Sequence, residues 1–200
     1  MAIIESDESN IHGQKLAVFV KELLDSNNIT TNELDAVAVS EGPGSYTGLR
    51  IGISIAKGIC YAAVKQLIAI DTLHSLAYDL LLKKEIEFPD GCILMPMIDA
   101  RRMEVYTAGY DRQLQKIIPT KPVILEETFY NSFNSTTFIC GNGSAKISGT
   151  INNKLVKIVP HIDLSARNLG VLAFKKFERN EFEDIAYFEP LYLKEFATIL

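Results

Sequence analysis

Apolar residues first fall into a regular pattern after His12. Leu16, Phe19, Val20, Leu23 and Leu24 recur at helical spacing on one face, which predicts an amphipathic helix ending at the polar run Asp25-Ser26-Asn27-Asn28. Ahead of it, Met1 to Ile4 reads as the end of a strand, followed by an acidic loop to Asn10. Thr31-Asn32-Glu33 is a short connector, and the apolar run Leu34 to Val39 predicts a strand. Ser40 to Gly52 is a glycine-rich turn, and a helical pattern leaves it over Leu49–Ala63. Gln66 to Ile70 predicts a second, buried strand bounded by Asp71-Thr72, and Leu73 to Lys83 a further helix. Strand, helix, strand and helix at these spacings imply parallel pairing in an α/β sheet.

The polar break Lys83 to Asp90, with Pro89, predicts a domain boundary between residues 1–88 and 89–200. Beyond it, Cys92–Ile98 and Met103–Tyr110 are apolar-rich runs joined by Asp99-Ala100-Arg101-Arg102, which reads as an antiparallel hairpin. Val123–Leu125, Phe138–Cys140 and Leu155–Val159 predict short strands, with Gly141-Asn142-Gly143-Ser144 as a turn. Ser165 to Phe177 predicts the last helix, and the apolar tail Tyr187 to Leu193 is expected to be extended. No repeat or low-complexity tract interrupts this order.

Composition narrows the class. The chain has 200 residues, 48% of them apolar and 22% charged, as in an ordinary soluble globular protein. Its net charge of −5 argues against a global basic footprint for nucleic acid. Cys60, Cys92 and Cys140 are odd in number, far apart and set in apolar stretches, without metal-type spacing. They point to a reducing, cytoplasmic compartment. The early charges Glu5, Asp7 and Glu8 do not read as a signal peptide, and no apolar run reaches the length of a membrane span.

Candidate chemistry centres on the glycine-rich turn, Gly42-Pro43-Gly44-Ser45-Tyr46-Thr47-Gly48, with Arg50 just behind it. Ser45 and Thr47 are both suited to cap the helix, and Gly42 and Gly44 tolerate close backbone approach. Two readings fit: an anion cradle at a helix start, or a tight strand-to-helix turn packed against a neighbour. The phosphate-loop and dinucleotide patterns do not fit, because Leu49-Arg50 follows Gly48 and threonine holds position 47. In the helix itself, Gly48, Gly52 and Ala56 lie four apart and form a smooth stripe, while Ile51, Ile55, Ile59 and Tyr61 lie opposite. A helix apolar on most faces is covered on most faces, either by its own domain or by another chain. His12, His74 and His161 are too scattered for a metal motif. At the hairpin, Asp99, Arg101 and Arg102 bring charges together. Extended backbone would point the two arginines to opposite faces, one to pair with Asp99 or Glu104 and the other to meet phosphate or a partner carboxylate.

Several of these segments resemble one family. Glu41 to Gly52, Ala56-Lys57-Gly58, Asp99 to Tyr106 and Pro190-Leu191-Tyr192-Leu193 are close to its motifs, and His12 matches the histidine that opens its first long helix. The family is TsaB, also called YeaZ, of the bacterial tRNA threonylcarbamoyladenosine system. The resemblance spans essentially the whole chain and implies an actin/Hsp70-like (ASKHA, ribonuclease H-like) α/β fold with duplicated lobes. The family's usual opening hairpin, with its phosphate loop, has no counterpart here, which makes nucleotide binding by this chain less expected. The resemblance also implies a relative of the catalytic subunit TsaD without the metal site, of the kind often labelled a glycoprotease-like or M22 peptidase homologue. It implies dimerisation with itself or pairing with TsaD, a TsaE-like ATPase in the assembly, and action on adenosine 37 of tRNA through the complex. No cofactor is expected on this chain, with ATP and metal on partner subunits.

The family's interface uses the first two long helices. Carried over, that assigns His12, Leu16, Phe19, Val20 and Leu23 on the first helix. On the second it assigns Gly48, Gly52, Ile55, Ala56 and Ile59. A competing class is an enzyme of the same superfamily, a metal-dependent peptidase or a nucleotide-dependent phosphotransferase, which bound metal or nucleotide would reveal. A third is an RNA-binding module, which a salt-dependent gel shift with tRNA would reveal.

Overall fold

A computed structural model of the chain describes residues 2–6, 12–149 and 152–194, without the side chains of residues 12–14 and 130. The contacts divide the chain into two units, residues 1–71 with 165–191, and residues 72–164 with 192–200.

The first unit is built on two parallel strands, β1 (Ala36–Gly42) and β2 (Gln66–Asp71), paired from Ala36↔Gln66 to Gly42↔Asp71. Helix α1 (His12–Ser26) packs against helix α2 (Tyr46–Ala63), which packs in turn on β1. Residues 2–6 form no strand, so the strand end expected at Ile3 and Ile4 is not there; Met1 lies outside the described residues. The reason is pairing: among the described residues β1 pairs in its sheet with β2, and no ladder reaches residues 2–6.

Ser45 begins α2 as its N-cap, accepting a hydrogen bond from the Gly48 N–H at 3.3 Å. Thr47, the other candidate cap, lies inside the first turn. The helix ends at Val64, whose φ of 54° puts a β-branched residue in the left-handed region. Helix α5 (Ala166–Glu178, capped by Ser165) packs on both strands, and its Lys176 Nζ donates to the Ala69 carbonyl at 2.9 Å. The following chain bridges to β2 at Leu67↔Glu183, then reaches β1, where the Leu191 N–H donates to the Glu41 carbonyl at 2.8 Å.

The second unit starts with α3 (Thr72–Leu81) and holds a five-stranded sheet of β3 (Ile93–Asp99), β4 (Glu104–Tyr110), β5 (Lys116–Ile124), β6 (Thr137–Cys140) and β7 (Val156–Ile158). Its order is β5-β4-β3-β6-β7. The β3–β4 and β4–β5 pairs are antiparallel, and β3–β6 and β6–β7 are parallel. A one-turn helix, α4 (Glu127–Tyr130), follows β5.

Both faces of this sheet are covered, and the alternation along β3 shows it. Leu94 and Ile98 join Leu73, Leu76 and Leu80 of α3 in one cluster, whereas Met95 and Met97 join Val105, Ile139 and Ile147 in another. Strand β5 is longer than the expected Val123–Leu125, because Pro119 and Pro122 mask it in the sequence while an edge strand tolerates them. The turn expected at Gly141–Ser144 continues as a 3₁₀ segment, Asn142–Ile147. The three cysteines are buried and free. Burial pushes each thiol above its ordinary range; a hydrogen bond to Val37 offsets part of this at Cys60, and Arg112 part of it at Cys92.

The expected single boundary at the 83–90 break differs from these units. Helix α3 buries Leu73, Leu76 and Leu80 in the second unit's core, and α5 returns to the first unit's strands. Sequence order does not reveal a returning helix.

Candidate partner-docking surface

The glycine-rich turn is a packed corner. Gly42 and Pro43 are buried. Gly42 has φ +112°, and a Cβ there would lie 3.1 Å from Leu49 Cδ1 and 3.2 Å from the Leu191 carbonyl oxygen, so only glycine fits. A Cβ on Gly44 would also face Leu49, and the Gly48 N–H is taken by Ser45. Leucine side chains therefore fill the inside of the turn, which favours the packing reading over an anion cradle. Outside it, the Arg50 guanidinium lies 4.5 Å from the centre of the exposed Tyr46 ring.

Helix α2 carries two stripes of small residues, and the structure separates their roles. A Cβ on Gly52 would lie 3.8 Å from Val39 Cγ2, and Gly48 is half-buried. Ala56 is 4% exposed and packs with Cys60, Leu67, Val37 and Val39. Gly52 and Ala56 thus seat α2 on its own strands. Ala56, expected at the interface, belongs instead to the protomer's interior, because small side chains are what let the helix lie close to β1.

A second stripe, Ser54, Gly58 and Ala62, lies at the same spacing and is exposed. A Cβ on Gly58 would meet nothing within 4 Å. Ile51, Ile55 and Ile59 flank this stripe and are only half-buried, and Tyr61 is 81% exposed. Sequence reasoning missed Ser54, Gly58 and Ala62, although their four-residue spacing was legible. What it lacked was the side on which the strands lie.

Helix α1 completes the surface. Leu16, Phe19, Val20 and Leu23 are half-buried, and none of its described side chains is fully buried. Val18 is 48% exposed. His12 opens the helix, but its side chain lies outside the described part. Two neighbouring helices therefore leave apolar area partly uncovered. A surface of this kind fits a protein partner better than a small ligand.

The second-unit hairpin is also defined. Arg101 and Arg102 have φ of 68° and 47°, so the tip is the tight turn that a hairpin at Asp99–Arg102 requires, and the opposite-face arrangement that extended backbone would give does not apply. Asp99 accepts from the Arg101 N–H and from Lys146 Nζ, both at 2.6 Å, and Glu104 pairs with Lys194. The expected pairing of an arginine side chain with Asp99 or Glu104 is therefore replaced by lysine pairs. Partial burial raises the Asp99 carboxyl, but the Lys146 and Arg101 hydrogen bonds outweigh it and hold the group below its ordinary value. His74 stacks on Tyr110 with ring centres 5.6 Å apart. Among the described residues, no three of His, Cys, Asp and Glu converge as a metal-holding group, and no helix is long and apolar enough to cross a membrane.

The two α/β units are those of the actin/Hsp70-like class. Residues 6–197 match the family model described as TsaD: tRNA N6-adenosine threonylcarbamoyltransferase. The chain belongs to this family, and the full-length relatives it resembles are named TsaB. It is 27% identical over 196 residues to the tRNA threonylcarbamoyladenosine biosynthesis protein TsaB of Escherichia coli, with 92% of this chain and 80% of that protein covered. It is 27% identical over 201 residues to the protein of the same name in Haemophilus influenzae, covering 94% and 81%. The solved structure of YeaZ from Pseudomonas aeruginosa superposes with a TM-score of 0.76 at 24% identity, covering 93% of this chain and 87% of that one, and supports the fold.

Proposed function

We propose that the chain is a noncatalytic subunit that docks on a TsaD-like catalytic partner through the exposed faces of α1 and α2. In this reading it steadies that partner during transfer of threonylcarbamoyl to adenosine 37 of tRNA. The observation that carries it is the outward stripe Ser54-Gly58-Ala62, flanked by the half-covered Ile51, Ile55 and Ile59. Small residues let a partner helix approach closely, and the isoleucines supply apolar area to bury. Relatives named for threonylcarbamoyladenosine biosynthesis support the reaction to which this docking contributes. ATP and metal are held by the other subunits, including a TsaE-like ATPase, and the chain works in the cytoplasm. In isolation the same surface pairs two copies of the chain.

The test is co-purification with the TsaD-like protein of the same organism, followed by a transfer assay with and without this chain. The proposal expects a stable complex and transfer that depends on the chain. Transfer at full rate without it, or turnover by the chain alone, contradicts the proposal.

A further inference from the structure

The tip of the β3–β4 hairpin places two arginines where glycine and asparagine are the cheap choices. Holding a non-glycine residue in the left-handed region costs about 1–2 kcal/mol, and here two consecutive residues do so. Local strain of this kind collects where a segment binds something. The tip is also held firmly. The Asp99 N–H donates to Asn142 Oδ1 at 2.9 Å, and Lys146 Nζ donates to the Glu104 carbonyl at 2.9 Å as well as to the Asp99 carboxylate.

Behind the tip, a Cβ on Gly141 would lie 2.4 Å from the Met97 carbonyl oxygen, so the loop carrying Asn142 is pressed against β3. The two carboxylates beside the arginines are already committed to Lys146 and Lys194. Glu126, which follows β5 beside the tip, accepts from the Thr128 hydroxyl at 2.8 Å. Both arginine side chains are exposed, and among the described residues neither enters an ion pair.

Resting on the reading above, we propose that Arg101 and Arg102 form a preorganised contact for the phosphate backbone of the tRNA bound by the complex. A guanidinium fork matches phosphate oxygens, and a rigid support lowers the entropy lost on binding. Anionic groups repeat along an RNA backbone, so two adjacent, uncommitted guanidinium groups both find partners. The contact positions the RNA and reads no base, as phosphate contacts do. It also puts local positive charge on a chain whose net charge is −5.

The experiment uses the double variant Arg101→Asn, Arg102→Gly, whose residues adopt positive φ more readily and so preserve the hairpin. The binding of tRNA is measured across a salt series, for the complex with the catalytic subunit and for the full chain alone, and subunit pairing is measured alongside. The expected result is weaker tRNA binding, with the slope of log affinity against log salt less steep by about 1.5, and pairing unchanged. Affinity and slope equal to the parent's overturn the proposal. Weakened pairing at unchanged tRNA binding also overturns it, by assigning the arginines to an acidic protein surface. If the parent fails to pair, the docking reading falls, and the salt slope of the chain alone still judges the arginines.

Discussion

Asp99 shows how one carboxylate organises a turn. Its contacts with Lys146 and the Arg101 N–H outweigh the cost of partial burial, so its folded pKa lies below its unfolded one. A depressed pKa contributes stability above the unfolded value, near pH 3.9, and that contribution is lost as pH falls through the folded value. The thermal stability gap between the parent and Asp99→Asn is therefore expected to be constant from neutral pH down to about pH 4 and to close below it. A gap that widens on acidification would contradict the hydrogen-bond assignment. The cysteines make a second residue-scale case. All three are buried and their thiols are raised by desolvation, so a thiol reagent is expected to label none of them in the folded protein and all three after denaturation. Rapid labelling of Cys140 under native conditions would show that the α3–β6 core opens readily.

Helix α2 sets the next scale, because its two faces carry the same spacing with opposite duties. The inner stripe ends in Ala56, packed on Val37 and Val39, so Ala56→Leu is expected to overpack the helix–strand contact and cost about 1–3 kcal/mol in denaturant unfolding. The outer stripe faces solvent, and added bulk there has room. Four-residue spacing was legible in the sequence, but which stripe meets the strands was not, since that depends on the helix's rotation about its axis. Other elements divide in the same way. The parallel β1–β2 pair and the β3–β4 hairpin followed from local pattern and spacing. Strand β5 is longer than the expected strand because Pro119 and Pro122 lie on an edge strand, which tolerates them. The lysine partners of Asp99 and Glu104 were hidden because Lys146 and Lys194 lie 47 and 90 residues away in the chain.

At the scale of the whole molecule, the chain is two α/β units, and its first unit ends with a helix that returns late in the sequence. That return is a long-range contact, so no local composition change announces it, and the polar 83–90 break looked like the better boundary. The docking account depends on a surface that the protomer itself leaves open, and Gly58 tests it cleanly. In Gly58→Leu the protomer is expected to hold or gain about 0.5–1 kcal/mol, because glycine is a poor helix former and the new side chain meets no neighbour within 4 Å. The decisive measurement is the calorimetric affinity of parent and Gly58→Leu chains for the TsaD-like subunit, with melting temperature recorded on the same samples. The account predicts at least a tenfold loss of affinity, about 1.4 kcal/mol, at equal or higher melting temperature. Equal affinity for both chains would contradict it.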